Sequence, residues 1–284
     1  MEFLGSQENI AIAKGELAEA IPDKIGLMFM PTDEKYRDFI INRTKLKERD
    51  VDIVYYGSIQ YHENLEAPQV WFEDLKVDSN GKSSFKACIK NFDNAEDEKL
   101  DCKLNLSGKF NVVNACAAIA VSLKADISLQ DVVKTLENTS PEHGRFEVLD
   151  SKQGFKIIND AYNASPQSMI ASVDVLANMD VEGKKICVLG DMFELGNIEK
   201  SGHEEVGEFV ASKNIDFLIC IGQISKYIFD SAIKAGMDEA KVLHFANTEE
   251  AKDKIFDICS VNDVVLLKAS NSMKFQDFAK KLAD

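Results

Sequence analysis

The stretch KICVLGDMFELG, residues 185–196, joins a short apolar run to a polar loop that is bracketed by two glycines. An apolar run of this length, without alternation, is typical of a strand that is buried on both faces of a parallel sheet. The run VVLL at residues 264–267 has the same character. The two runs predict a sheet that is covered by helices on both sides, with the polar loop at the carboxyl end of a strand.

Strands and helices alternate on both sides of this stretch, from residue 144 onward. The pattern predicts six strands, at 145–150, 155–160, 185–190, 216–222, 241–245 and 263–268. It predicts five helices, at 166–178, 201–212, 225–235, 248–259 and 273–282. Such alternation indicates a largely parallel, Rossmann-like sheet whose ligands bind at the carboxyl ends of the strands.

The first half of the chain is less regular. It predicts helices at 8–20, 33–49, 111–124 and 128–137, with strands at 26–30, 51–56, 71–77, 85–89 and 100–106. The turn Asn138-Thr139-Ser140-Pro141 ends the last of these helices and indicates a domain boundary. The predicted fold class is therefore α/β, with a mixed sheet and helices in 1–142 followed by a Rossmann-like domain of about six strands in 143–284.

Composition excludes several classes of protein. The 284 residues carry 48 acidic and 33 basic side chains, for a net charge of -15, so no basic field is available for nucleic acid or an anionic membrane. No apolar run approaches the roughly 20 residues that span a bilayer. The six cysteines are scattered without a C-x-x-C pair, which indicates neither a disulfide framework nor a zinc site. A reduced, cytoplasmic setting is expected.

Two polar loops follow predicted strands and are the candidate ligand sites. In NDAYNASP, residues 159–166, Ser165 is a natural helix N-cap and Pro166 suits the first helical turn. The helix N–H groups would then face a ligand beside Asp160 and Tyr162, although a simple capped junction explains the same residues. The loop at 190–196 alone decides nothing. Neither a G-x-G-x-x-G nor a G-x-x-x-x-G-K-[ST] motif is present, which disfavours a nicotinamide dehydrogenase and leaves no phosphate-cradling loop.

Five segments, in order along the chain, resemble those of Mur ligases of the MurF type. They are GSQENIAIAKGE (5–16), GKFNVVNA (108–115), GRFE (144–147), DAYNASPQSM (160–169) and VLGDMFELG (188–196). The resemblance covers nearly the whole chain. It implies that 1–142 is a partial central, ATP-binding domain and that 143–284 is the C-terminal domain.

The resemblance also implies an activity. Such ligases use ATP and Mg²⁺ to convert the carboxylate of UDP-N-acetylmuramoyl-tripeptide into an acyl phosphate, which the amine of D-alanyl-D-alanine then attacks. That chemistry needs cations around the transferring phosphoryl group and a cleft that excludes water. The family expectation for the oligomeric state is a monomer.

Roles for individual residues follow from the matched motifs. Lys14 matches the lysine that becomes carbamylated and so turns into a metal-directed carboxylate. Asn111 and Asn114 match residues that read the adenine, a task suited to side chains with both a donor and an acceptor. An ordinary exposed helical lysine is the simpler interpretation of Lys14 without the surrounding motif.

Further roles fall on the second half. Arg145 matches the arginine that reaches the nucleotide phosphates, and with Lys14 it is a catalytic candidate. Asp160 matches the carboxylate near the ribose, and Tyr162 is expected against the nucleotide or the substrate. The expected substrate-binding residues are Asn163, Ser165, Lys268, Ser270 and Asn271.

Three departures from the family pattern limit these expectations. The family's UDP-binding domain and P-loop precede the point where this sequence begins, so the chain is expected not to turn over by itself. Phe110 stands where the family has histidine, and Asn271 stands where it has arginine. A neutral amide cannot make the bidentate, charged contact of a guanidinium, which affects dipeptide positioning or the organisation of the ATP site.

Two alternatives stay open. One is a non-catalytic nucleotide- or substrate-binding module derived from a ligase, which the missing P-loop and Asn271 favour. The other is a Mur-type amide ligase that uses a different amino acid or dipeptide. An upstream reading frame that encodes a P-loop would favour the catalytic ligase over the binding module.

Overall fold

The computed structural model describes residues 4–61, 66–78 and 81–284. The chain divides into two compact units, with the main division between Ser140 and Pro141. Each unit has its own sheet and its own buried core. The two units are therefore described one at a time.

The first unit holds a five-stranded mixed sheet in the order β1-β2-β3-β4-β5. Its strands are β1 Leu27–Pro31, β2 Asp52–Gly57, β3 Gln69–Val77, β4 Lys82–Lys90 and β5 Glu98–Ser107. The first three strands run parallel, and β4 and β5 complete the sheet as antiparallel neighbours. The mixed sheet predicted for this half is confirmed.

Helices cover both faces of this sheet. They are α1 Gln7–Glu19, α2 Arg37–Arg43, α3 Lys109–Lys124 and α4 Leu129–Glu137. Val54 of β2 lies in the core beneath α3 and α4, whereas its neighbour Tyr55 lies in the core with residues of α1 and α2. The period of two along β2 thus assigns successive side chains to opposite layers.

The helix predicted at 33–49 is wrong in its length. The observed α2 has 7 residues and ends at Arg43, and Lys45 takes a left-handed backbone with φ 52°. The segment after α2 is a series of turns, with backbone hydrogen bonds such as Arg49 N–H to the Lys45 carbonyl at 2.9 Å, and the Arg49 side chain also holds it. Arg49 donates to the carbonyl oxygens of Ala18 at 3.1 Å and Thr44 at 3.2 Å, and also to that of Ile21.

The second unit holds a six-stranded sheet in the order β10-β9-β8-β11-β7-β6. Its strands are β6 Glu147–Asp150, β7 Lys156–Asn159, β8 Lys185–Gly190, β9 Phe217–Ile221, β10 Val242–Phe245 and β11 Val264–Lys268. All pairs are parallel except β6 with β7. The predicted Rossmann-like domain of about six strands is confirmed. Strand β6 begins later than predicted because Phe146 has φ 56°.

Five helices form the outer layers of the second unit: α5 Pro166–Asn178, α6 Glu199–Ala211, α7 Lys226–Lys234, α8 Thr248–Ile258 and α9 Phe275–Ala283. Cys187 and Leu189 of β8 lie in the core with residues of α5, α6 and α7. Ile186 and Val188 lie in the opposite core with residues of α8 and α9. Strand β8 is therefore buried on both faces, as its sequence predicts.

The cysteines are all free and buried. Cys187 and Cys220 lie in the core of the second unit, where burial raises the pKa of both thiols, so they serve as small apolar residues. Within 4–61, 66–78 and 81–284, no helix has the length and apolar character that a bilayer crossing requires.

Candidate functional site

The carboxyl ends of β7, β8 and β11 lie side by side in the second sheet, because β11 is inserted between β7 and β8. The loops that leave these ends contain most of the residues that the sequence singles out. This is the position at which open α/β sheets bind ligands.

The loop after β7 ends in a well-formed helix start. The Ser165 hydroxyl accepts a hydrogen bond from the Ser168 N–H at 3.3 Å, and the Ser168 hydroxyl accepts one from the Ser165 N–H at 2.9 Å. This reciprocal pair is a capping box, and Pro166 occupies the first helical turn. The predicted N-cap at Ser165 is confirmed.

Asp160 is buried at the start of this loop, and three donors satisfy its carboxylate. Lys268 Nζ lies 2.7 Å from Asp160 Oδ2, and the Ser172 hydroxyl donates to the same oxygen at 2.5 Å. The Phe146 N–H donates to Oδ1 at 3.2 Å. The carboxylate therefore ties β11, α5 and the segment before β6 to the loop.

Tyr162 and Arg145 form an exposed pair on this loop. The Arg145 guanidinium carbon lies 4.0 Å from the centroid of the Tyr162 ring, in cation–π geometry. Tyr162 is 45% exposed as a residue, and the Arg145 side chain is 55% exposed. The pair is called the Arg145–Tyr162 platform here. It offers a cation and a ring face to a ligand, with Glu142 3.3 Å from Arg145 Nε.

The end of β8 packs closely against the segment that follows β11, at Gly190. A Cβ atom there would lie 2.7 Å from Ala269 Cβ and 2.9 Å from Phe275 Cζ, so a side chain would overlap both neighbours. Ser270, which follows β11, is buried and connects the two loops. Its hydroxyl accepts from the Phe193 N–H at 2.9 Å, and its own N–H donates to the Asp191 carbonyl at 3.0 Å.

His203 belongs to this site although the sequence motifs do not include it. Its Nε2 accepts the Met192 N–H at 3.0 Å, so Nδ1 carries the proton and donates to the Glu199 carbonyl at 2.6 Å. The residue is fully buried, and burial lowers its pKa. Helical spacing could have indicated its inward position, because Val206 and Val210 share its face of α6.

The other predicted site residues of the second unit lie around the same loop. Asn163 and Asn271 are exposed, and Lys268 is buried. The Asn163 Oδ1 atom accepts the Ala164 N–H at 2.8 Å, and Asn271 Nδ2 donates to the Tyr162 carbonyl at 2.9 Å. The fold thus brings Arg145, Asp160, Tyr162 and these three residues together.

The candidates in the first unit project from helices. Lys14 is exposed on α1 and lines a cavity of about 580 Å³ between α1, β1 and the segment before α2. The lining is mostly apolar, with Glu34 and Lys35 as its other charged members. Among the residues that the structure describes, no group of three His, Cys, Asp or Glu side chains is placed to hold a metal ion.

Asn111 and Asn114 lie in the first two turns of α3. Asn111 Nδ2 donates to the Ser107 carbonyl at 2.8 Å, and Asn114 Nδ2 lies 3.4 Å from Asn111 Oδ1. Phe110, where the family has histidine, is 38% exposed and its ring lies over Gly108, leaving no room for a side chain there. Asn114 is the exposed amide of the pair.

Two family models match the chain. The model described as the Mur ligase middle domain matches residues 1–122, and the one described as the Mur ligase, glutamate ligase domain matches residues 144–271. The UDP-N-acetylmuramoyl-tripeptide–D-alanyl-D-alanine ligase of Bacillus subtilis is 30% identical over 284 residues, which is 100% of this chain and 57% of that protein. The corresponding Escherichia coli ligase is 27% identical, with 100% and 58% covered.

Solved structures show the same fold. MurF from Acinetobacter baumannii superposes with a TM-score of 0.78 at 23% identity, covering 99% of this chain and 56% of that one. MurF ligase from Thermotoga maritima in complex with ADP gives 0.73 at 22% identity, with 99% and 60% covered. Because Mur ligase family models match residues 1–122 and 144–271, the chain belongs to the Mur ligase family. Within that family it is of the MurF type, and it spans little more than half the length of these relatives.

Proposed function

We propose that this chain is part of an ATP-dependent ligase that joins D-alanyl-D-alanine to UDP-N-acetylmuramoyl-tripeptide during synthesis of the peptidoglycan precursor. The observation that carries the proposal is the match, over all 284 residues, to a ligase named for that reaction. The exposed Arg145–Tyr162 platform supports it, because a nucleotide needs both a cation for its phosphates and apolar surface for its rings.

In this proposal the two halves of the chain have different roles. Residues 1–142 are part of the central, ATP-binding domain, in which Asn111 and Asn114 read the adenine. Residues 143–284 are the C-terminal domain, in which Arg145 holds the phosphates and Tyr162 lies against the nucleotide or the substrate. The Asn114 amide, the Arg145 guanidinium and the Tyr162 ring are exposed and can face a ligand. Asn111 already donates to the Ser107 carbonyl, and the Asp160 carboxylate already has three donors.

Mg²⁺ fits this arrangement as an ion that binds together with the nucleotide, through its phosphate oxygens. The described residues hold no ready-made carboxylate cage, and Mg²⁺ commonly binds through phosphate oxygens and one or two carboxylates. A carbamate on Lys14, which is exposed on α1, would supply one such carboxylate. When bound, the ion would neutralise charge on the transferring phosphoryl group.

The chemistry is a transfer of phosphoryl and then of acyl groups. The tripeptide carboxylate takes the γ-phosphoryl group of ATP and releases ADP, and the dipeptide amine then displaces phosphate from the acyl carbon. The proposed substrate contacts are Asn163, Ser165 and Asn271 at the loop surface. Lys268 and Ser270 are buried, so their part is to hold the loops that carry those contacts.

Calorimetric titration of the chain with Mg-ATP, together with a phosphate-release assay containing both substrates, tests the proposal. We expect weak nucleotide binding that Arg145→Ala abolishes, and no turnover by this chain alone. Lys226→Ala is the matched control, because Lys226 is an exposed cation on α7 that pairs with Asp230 at 3.0 Å. Binding that survives Arg145→Ala, or equal loss in the control, would contradict the assignment.

A non-catalytic binding module is the second candidate, and Asn271 favours it. Its amide is directed to the Tyr162 carbonyl, whereas the family's arginine would bring a charge. Nucleotide binding without phosphate release, in a longer protein that includes any upstream P-loop, would establish the binding module. We also propose a cytoplasmic monomer without affinity for nucleic acid or membranes, which light scattering and vesicle sedimentation can check.

A further inference from the structure

Four successive backbone carbonyls, those of residues 160–163, accept hydrogen bonds from side chains of a single segment, 268–276. Lys268 Nζ donates to the Asp160 carbonyl at 3.2 Å and to the Asn163 carbonyl at 3.1 Å. Asn271 Nδ2 donates to the Tyr162 carbonyl at 2.9 Å. Gln276 Nε2 lies 3.5 Å from the Ala161 carbonyl and makes the weakest of the four contacts.

These contacts replace the hydrogen bonds that a strand or helix would provide. Residues 160–163 lie between β7 and α5, outside both elements. Asp160 and Ala161 are buried, where a backbone carbonyl needs a partner, whereas Tyr162 and Asn163 are exposed and their contacts serve to fix the loop. The donors come from residues that follow β11 or end it. Strand β11 is the sheet neighbour of β7, so its end is in reach of the loop.

We propose that Asn271 is a positioning residue for the Arg145–Tyr162 platform, acting through the Tyr162 backbone. Both backbone polar groups of Tyr162 are held, since its N–H donates to the Gly144 carbonyl at 2.9 Å and its C=O accepts from Asn271. Gly144 directly precedes Arg145, whose guanidinium lies 4.0 Å from the Tyr162 ring centroid. Movement of the Tyr162 backbone therefore moves both parts of the platform.

Asn271 thus stands at the family's arginine position in a different role. A neutral amide gives one directed hydrogen bond to a carbonyl and leaves no unpaired charge beside the loop. Because its Nδ2 donates to the Tyr162 carbonyl, the side chain cannot also give a ligand's carboxylate the bidentate, charged contact that an arginine gives. The part of this inference that concerns nucleotide affinity rests on the proposed function, and the part that concerns the loop does not.

Asn271 is the donor to test because it is exposed, whereas Lys268 is buried in an ion pair with Asp160. Asn271→Asp keeps the shape of the side chain and replaces the N–H donor with an oxygen. The matched control is Asn178→Asp, since Asn178 is also exposed and its Nδ2 donates to the Asp174 carbonyl at 2.7 Å at the end of α5. Asn271→Gln restores a donor as the conservative rescue.

Amide hydrogen exchange of Tyr162, followed by NMR in the full chain, is the first measurement. Losing one hydrogen bond of ordinary strength should speed exchange at Tyr162 by roughly threefold to tenfold in Asn271→Asp. Asn178→Asp should leave that amide unchanged, and Asn271→Gln should exchange more slowly than Asn271→Asp. The proposal would be overturned if Tyr162 exchanged in Asn271→Asp at the same rate as in the parent chain. It would also be overturned if Asn271→Gln exchanged as fast as Asn271→Asp.

Calorimetric titration of the same variants with Mg-ADP is the second measurement. We expect Asn271→Asp to bind Mg-ADP several-fold more weakly than Asn178→Asp does. Equal affinity in the two variants, with exchange at Tyr162 changed, would overturn the link between loop position and ligand. If the parent chain binds no Mg-ADP while exchange responds as expected, the proposed nucleotide site fails and the role of Asn271 in holding the loop stands.

Discussion

The candidate residues of the second unit are held by their neighbours, whereas those of the first unit stand on the surfaces of helices. Around the loop after β7, Asp160 has three donors and Lys268 has three acceptors. On α1, Lys14 is exposed and lines a cavity that is mostly apolar. The loops that carry the proposed site in the second unit are therefore fixed by their own contacts, whereas the proposed contacts on the helices of the first unit are less constrained.

The largest expected effect comes from Lys268→Met, which removes one partner of the buried ion pair. Lys268 is 4% exposed and lies 2.7 Å from the Asp160 carboxylate, which would be left buried without its cation. We expect the second unit to lose about 3–5 kcal/mol of stability. Hydrogen exchange of the β8 and β11 amides reports the opening of this unit.

Lys213→Met is the matched control for that substitution. Lys213 lies 2.7 Å from Asp174, but the two side chains are 30% and 47% exposed, so solvent screens the pair. The expected change is below about 1 kcal/mol. Equal effects of the two substitutions would mean that the loop after β7 is not held by its buried pair.

Gly190→Ala should be the next largest perturbation. The added methyl group would lie 2.7 Å from Ala269 Cβ and 2.9 Å from Met273 Sδ, so the segment after β11 must shift. Overpacking of this kind costs about 1–3 kcal/mol. We expect this loss of stability to appear as faster hydrogen exchange of the β8 and β11 amides, with exchange in the first unit unchanged. Unchanged exchange in the second unit would show that these loops tolerate movement.

His203 should make the second unit less stable as the pH falls. Burial lowers its pKa below the ordinary value of 6.5, and the hydrogen bond to the Glu199 backbone and the charges of Asp191 and Glu199 only partly oppose this. Below about pH 6.5 the unfolded chain therefore binds a proton that the folded chain resists, so stability is lost as pH decreases. The loss continues until the folded residue also protonates and releases the Met192 N–H.

Comparing the parent with His203→Gln at about pH 7.5 and about pH 5.5 isolates this effect. The other histidines are present in both proteins, so their titration cancels. We expect the parent's second unit to lose more stability between the two values than the variant's does, as measured by exchange of the β8 amides. The same pH dependence in both would show that His203 protonates without cost.

Periodicity and motifs predicted the layers of the fold and the location of the candidate site. Apolar runs identified β8 and β11, and Ser165 with Pro166 identified the start of α5, because these signals are local. The contacts that hold the site are not local. Lys268 and Asp160 are 108 residues apart, and Asn271 and Tyr162 are 109 apart, so sequence spacing could not pair them. The end of α2 was also missed, because the left-handed backbone conformation that follows it occurs at Lys45 and not at a glycine, the residue that usually marks such a helix end.

The smallest expected effect contrasts the same substitution in a helix of each unit. Gly15 lies inside α1, where an added Cβ would be 3.7 Å from Thr44 Cγ2, an ordinary contact. Gly15→Ala should therefore stabilise the first unit by roughly 0.5–1 kcal/mol, because alanine lowers the entropy of the unfolded chain. In α6, a Cβ at Gly202 would lie 2.7 Å from Pro166 Cγ, so Gly202→Ala should lose that gain.

The stability change caused by each substitution is measured by denaturant unfolding, with amide hydrogen exchange monitored separately in α1 and in α6. A gain in α1 with no gain in α6 would mean that the helix carrying Lys14 has room beside it, while the helix carrying His203 is fixed against the start of α5. Because Lys14 is exposed on α1, stabilising that helix should leave its access to a ligand unchanged. Equal gains of stability in both helices would instead show that Pro166 moves aside at little cost. The only remaining support for a rigid site in the second unit would then be the side-chain contacts of its loops.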